Sequence, residues 1–237
     1  MSRDRVSSQA RPSWLLDELA TAGRENLDAG HVSRYDSKEN ADAGRELSLL
    51  VELGLSSESV VVEFGSGTGQ FALACLRIVA VDVSPVMLAA ARARIDEAQL
   101  ANVEFVQAGF LAYEHRGRPA DFVYSRLALH HLPDFWKASA LVPIHDILRP
   151  GGLLRLVDVA YSFAPQEAAD RIEAWCATAA PSGGDVWTRV ELEEHVRDEH
   201  STYTWLVEPM LERAGFAIED AEYSDDGILA KYVARRA

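Results

Sequence analysis

Three glycines at alternate positions, Gly65, Gly67 and Gly69, follow the apolar run Val60–Phe64 and open what reads as a helix, Gln70–Leu76. Glycine at such a corner lets the backbone take positive φ and lets a ligand approach the main chain closely. The helix end behind it favours negative charge. Asp82 closes the next apolar run, Ile78–Asp82, and a carboxylate there can accept hydrogen bonds from both hydroxyls of a ribose. Loop and acid together point to an adenosine-type ligand at the strand ends of a doubly wound sheet. A dinucleotide fingerprint has the spacing Gly-x-Gly-x-x-Gly. Here it is Gly-x-Gly-x-Gly with Glu63 two positions ahead of Gly65, and an acid beside the loop suits a cation better than a phosphate.

The elements that must position these residues alternate strand with helix, the pattern of a mostly parallel sheet covered on both faces. Strands are expected at Val60–Phe64, Ile78–Asp82, Val103–Ala108, Phe122–Ser125, Leu153–Val159, Ala217–Tyr223 and Ile228–Val233. The turn Asp225-Asp226-Gly227 makes the last two antiparallel. Ser84-Pro85 caps a helix to about Ala98, and Thr188 with Glu191 forms a capping box for a helix to about His200. Further helices are expected over Trp14–Ala22, Asp42–Leu53, Phe135–Leu148 and Tyr203–Ala214. Pro143 predicts a kink in the third of these, or a start near Ala140. Only ten residues, Thr68–Arg77, separate Gly67 from Ile78. A return helix of about 11–13 residues is needed to span a strand. Either this helix is truncated or residues are missing there from the sequence as given, and the intact flanking strands favour the second.

The stretch Val61–Gly69 resembles the first motif of class I S-adenosylmethionine (SAM)-dependent methyltransferases, of the bacterial small-molecule type. The similarity continues in order. Asp82-Val83-Ser84-Pro85-Val86-Met87 resembles the second motif, which implies that Asp82 holds the ribose and that Val83 and Met87 flank the adenine. Asn102–Phe110 resembles the segment along the adenine edge. There Gly109 replaces the family's common Asp, so the side-chain acceptor for the adenine amino group is missing and the backbone of Phe110 remains. Asp121–Asp134 resembles the fourth motif, with Ser125 bordering the methionine part of SAM. The resemblance implies a Rossmann-like α/β fold with a seven-stranded mixed sheet, order 3-2-1-4-5-7-6, the last strand antiparallel and helices on both faces. It also implies SAM as cofactor, S-adenosylhomocysteine as product, and Glu63, Gly65, Ser66, Gly67 and Gly69 around the cofactor.

Methyl transfer from a sulfonium needs alignment above all, and a hydroxyl acceptor also needs a base. His130 and His131 are the candidates, because histidine titrates near neutrality; hydrogen bonding at a helix start is the structural alternative. Arg34 and Tyr35 stand in an N-terminal segment that would fold over the cofactor, Arg34 on its carboxylate and Tyr35 over its ring. A loop at Thr178–Trp187, with Trp187, Tyr203 and Trp205, is placed to shape an acceptor pocket or to cap the fold. The expected organisation is a disordered arm over 1–12 and one domain over 13–237. A helical lid occupies about 13–54, and an insertion over about 161–215 borders the acceptor. A net charge of −14 argues against a nucleic-acid footprint, and no apolar run approaches the ~20 residues of a membrane span. Cys75 and Cys176 lie outside any Cys/His cluster, which indicates no metal site and favours a reducing cytoplasm. The expected partner is a small-molecule acceptor. A non-catalytic SAM-binding protein and an NAD-dependent oxidoreductase are the competing classes.

Overall fold

The computed structural model describes residues 13–23, 26–39, 42–75, 77–179 and 187–237, without the side chains of 37–39. The arm expected over 1–12, and most of the loop around Pro181–Gly184, lie outside the described residues. Eight strands form the sheet: β1 (Val61–Phe64), β2 (Ile78–Asp82), β3 (Val103–Gln107), β4 (Ala120–Arg126), β5 (Leu148–Tyr161), β6 (Thr202–Tyr203), β7 (Phe216–Tyr223) and β8 (Leu229–Arg236). The main path runs β3-β2-β1-β4-β5-β8-β7, with β6 paired to β5 off that path. All pairings are parallel except β8 with β5 and β7. Apart from the two-residue β6, this is the expected order with an antiparallel last strand.

β1 shows why the sheet needs helices on both sides. Its four residues are all buried, and successive side chains point to opposite faces. Val62 and Phe64 join the core made with Leu141, Ile144 and Leu211. Val61 joins the opposite core with Leu50, Phe71 and Tyr124. The first face is covered by α5 (Asp134–Ile147) and α8 (Thr204–Arg213), the second by α2 (Ala43–Glu52) and α3 (Gln70–Ala74). The strand order reverses between β2 and β4 at β1, which puts the crevice for a ligand at the carboxyl end of β1.

Capping signals fixed several helix starts. Ser84 Oγ accepts from Met87 N at 3.1 Å to open α4 (Pro85–Glu97), a contact of about 1 kcal/mol. Thr188 and Glu191 form the capping box of α7 (Arg189–Asp198). Other expectations need correcting. Trp14–Ala22 forms turns, and the first helix, α1, is Ala29–Glu39. α5 runs from Asp134 through Pro143, so it does not start near Ala140. Its apolar side, Ala140, Leu141 and Ile144, is fully packed, and that packing outweighs the one backbone bond proline removes. The chain closes the first crossover with the five-residue α3, followed by extended Cys75.

Candidate active site

Gly65, Gly67 and Gly69 take φ of +68°, +52° and +79°, the region glycine tolerates. At Gly65 a Cβ would also sit 2.3 Å from Ala128 Cβ, so the loop is pressed against the segment leaving β4. At Gly67 a Cβ would meet only Tyr35 Cε1, at 4.0 Å; its backbone faces open space. Gly67 N donates to Asp82 Oδ2 and Ser84 N to Asp82 Oδ1, both at 2.8 Å. Burial raises the Asp82 pKa, and these backbone donors oppose the rise. Two donors leave lone pairs free for two ribose hydroxyls.

Glu63 projects on the other side of the loop. Its Oε2 is buried with no hydrogen-bond partner among the described residues. Burial, then the charge of Asp82, push its pKa well above the carboxylate range. A cation brought beside it would supply the missing partner. The cofactor of the family resembled carries an ammonium and a sulfonium, so the donor set fits it. The Asp82 side of the loop, where the resemblance expects adenosine, is a cavity lined by Asp82, Val83, Ala108, Gly109 and Phe110. The Glu63 side is lined by Ser66, Tyr124 and Arg126.

The gap left by Gly109 is filled from the N-terminal segment. The Glu18 carboxylate lies where a Gly109 side chain would stand, 2.3 Å from the ideal Cβ position. Its Oε2 accepts from Leu111 N at 3.1 Å, and Glu18 lines the adenosine cavity. Sequence reasoning missed it because Glu18 is far from Gly109 along the chain, in an irregular segment. Asp36 of α1 accepts from Gln70 Nε2 at 2.7 Å and also from Thr68 Oγ1 and an Arg94 guanidinium nitrogen. These contacts clamp α1 onto the glycine loop and bring Tyr35 over it, where Tyr35 lines the cavities on both sides. Arg34 is exposed, bonds back to Gly30 O, and lines none of these cavities. Met87 is a buried core residue, and Ser125 is buried in β4; neither lines them. Gly69 is the left-handed N-cap of α3.

Tyr35, Leu127 and His131 are shared with a third cavity of about 410 Å³. Trp175, Trp187 and Leu192 line it, from α6 (Ala168–Ala177), α7 and the residues before it. Tyr203 and Trp205 stack on each other instead, at 5.5 Å, so only Trp187 of the three expected aromatics takes part. His130 and His131, on a 3₁₀ turn after β4, border this cavity with His195. Asp158 accepts from His130 N at 3.0 Å, Val159 N at 2.8 Å and His130 Nδ1. His130 Nε2 and His195 Nδ1 both face Glu199 Oε2, at 3.0 and 2.6 Å. Burial alone would lower the His130 pKa, but Asp158 and then Glu199 outweigh it and raise it to about 10. Burial and then the His130 charge push His131 down to about 3. Asp158, His195 and Glu199 were not expected from sequence. The signals were there: a carboxylate inside the apolar run of β5, and a His-x-x-x-Glu spacing at the end of α7.

Comparison with known proteins assigns the region. Residues 61–152 match the family of methyltransferase domains. An uncharacterized methyltransferase of Oceanobacillus iheyensis is 27% identical over 117 residues, 48% of this chain and 53% of the relative. A carboxy-S-adenosyl-L-methionine synthase of Psychrobacter is 27% identical over 162 residues, 68% of this chain and 56% of the relative. The chain spans about half the length of the curated relatives it matches. Among solved structures, a SAM-dependent methyltransferase of Aquifex aeolicus superposes with a TM-score of 0.61 at 17% identity, covering 89% of this chain and 100% of that one. A Haemonchus contortus phosphoethanolamine N-methyltransferase, solved with phosphomonomethylethanolamine and S-adenosylhomocysteine, reaches 0.68 at 15% identity, over 94% and 60%. Residues 61–152 thus match the methyltransferase-domain family, and the chain has the fold of solved SAM-dependent methyltransferases. Among the described residues no helix is long and apolar enough to cross a membrane.

Proposed function

We propose that the protein transfers the methyl group of SAM to a small molecule held in the cavity of about 410 Å³. One observation carries this reading: the acceptor cavity shares Tyr35, Leu127 and His131 with the adenosine cavity, so a bound methyl donor and an acceptor would meet at one wall. When bound, SAM supplies an activated methyl group on a positive sulfur. The chain's own part is to bind, align and exclude water. Asp82 takes the ribose hydroxyls, Val83, Gly109 and Phe110 flank the adenine, and Glu18 accepts from its amino group. Glu63 faces the cationic end. Arg126, lining the Glu63 side, is the cation placed for the cofactor carboxylate, a role the exposed Arg34 does not fill. Tyr35 covers the junction.

His131 borders both cavities, and His130 and His195 line the acceptor cavity with it. His130, locked between Asp158 and Glu199, is a positioning residue. The aromatic walls from Trp175 and Trp187 favour a flat or apolar acceptor carrying one polar nucleophile. A reducing cytoplasm is the proposed place of action. Calorimetric titration with SAM, followed by mass-spectrometric turnover on a panel of small phenols and carboxylic acids, tests the proposal. Binding with turnover is expected. Binding without turnover on any acceptor would leave a SAM-binding regulator instead, and tighter binding of NADH than of SAM would overturn the whole reading.

A further inference from the structure

One nitrogen of His130, one of His195 and one oxygen of Glu199 all lie within 4.8 Å of one another. They come from two separate pieces of chain: the 3₁₀ turn after β4, and α7 with the residue that caps its end. Around them, other groups stand against the far ring nitrogens. Asp158, itself held by two backbone N–H groups, takes the Nδ1–H of His130. Ser201 Oγ stands 2.9 Å from His195 Nε2, within reach to accept its proton. His130 Nε2 and His195 Nδ1 both converge on Glu199 Oε2. Three electron-rich atoms at this separation repel unless positive charge lies between them, as two protons or as one divalent ion. A fourth donor is close: His131 Nδ1 is fully buried, has no hydrogen-bond partner among the described residues, and lies 4.0 Å from the same oxygen.

We propose that His130, His195 and Glu199 bind a divalent transition metal of the zinc class in the wall of the acceptor cavity. Two imidazoles and a carboxylate are the donor set of open zinc sites, which keep a position for an outside ligand. Mixed nitrogen and oxygen donors disfavour magnesium and calcium. A carboxylate holding the far nitrogen of a ligating histidine, as Asp158 does, orients the ring and makes it a better donor. His130 and His195 both face the cavity, so the open position points at the acceptor. Its ligand class is a hydroxyl or carboxylate oxygen. A hydroxyl bound there loses its proton to solvent more readily, then forms its O–CH₃ bond as the CH₃–S bond of SAM breaks. This role in the reaction rests on the methyl-transfer reading; the metal site itself does not.

The test uses the whole chain, freed of any affinity tag, stripped with EDTA and dialysed against Zn²⁺. One equivalent of zinc per chain is expected by elemental analysis, and Co²⁺ in its place should give a visible d–d absorption band. His195→Gln and Glu199→Gln should each lose at least about tenfold in Co²⁺ affinity, whereas His115→Gln, away from the cluster, should keep it. A wild-type chain that retains no Zn²⁺ above buffer and shows no Co²⁺ band overturns the proposal, because no variant needs to fold for that result. Zinc bound equally by wild type and by folded His195→Gln and Glu199→Gln overturns it too. SAM titration on the same samples keeps the two readings apart. Zinc without SAM binding removes the proposed function and leaves the metal site; SAM binding with turnover but no zinc does the reverse.

Discussion

The cofactor cradle and the acceptor wall meet at His131, yet they are built by opposite means. The cradle is local. Glu63, the Gly65–Gly69 loop and Asp82 lie on two adjacent parallel strands, and its key contacts are backbone donors on one carboxylate. The wall is assembled from distant pieces. His130, Asp158, His195 and Glu199 come from a 3₁₀ turn, β5, α7 and the end of α7, and they are held by charges removed from water. Such buried ion clusters are costly to break, because removing one partner strands the other. The cradle should therefore lose ligand before fold, and the wall should lose fold.

The largest effect is expected in the wall. Asp158→Ala removes the acceptor of His130 Nδ1 and of two backbone N–H groups, and should cost about 3–5 kcal/mol of stability. Denaturant unfolding checks it, and a loss below about 1 kcal/mol would mean that the cluster does not hold the wall together. In the cradle, Gly67→Val should cut SAM affinity about a hundredfold, or about 2.7 kcal/mol. A Cβ there meets only Tyr35 Cε1, at 4.0 Å, but the positive φ strains valine, so denaturant unfolding of the variant is measured alongside. Near-wild-type SAM binding by calorimetry would show that the ligand does not approach this backbone.

Asp82→Ala should weaken SAM by about 1–3 kcal/mol, the worth of hydrogen bonds to a charged group. Unchanged affinity in a folded protein would remove the ribose role. The smallest effect tests the one long-range part of the cradle. Glu18→Ala should weaken S-adenosylhomocysteine by about 0.5–1.5 kcal/mol, and should abolish any preference for it over the analogue with a 6-oxo group in place of the adenine amine. A preference that survives the change would place the amino-group acceptor elsewhere.

Much of the fold was legible because each signal is local. Capping residues such as Ser84 and Thr188, apolar runs such as Val61–Phe64, and the turn at Asp225-Asp226-Gly227 act within a few residues of themselves. Trp14–Ala22 misled for the same reason: its helical pattern is real, but among the described residues it is spent on a turn that carries Glu18 to Gly109. Pro143 misled in the opposite direction, since the packing of Ala140 and Ile144 outweighs one lost hydrogen bond. Arg34 and Met87 were placed by resemblance alone, and neither position records which way its side chain leaves the helix.

The sequence by itself determined the cradle, because a positive φ demands glycine and a strand-end carboxylate needs only its neighbouring strand. Only the tertiary structure decided the rest. A Glu18 carboxylate stands where a Gly109 side chain would be, Arg126 rather than Arg34 lines the Glu63 side of the loop, and three histidines border one cavity. The physical reason is range: backbone conformation is set over a few residues, whereas the burial and pairing of charges depend on which distant segments the fold brings within about 4 Å.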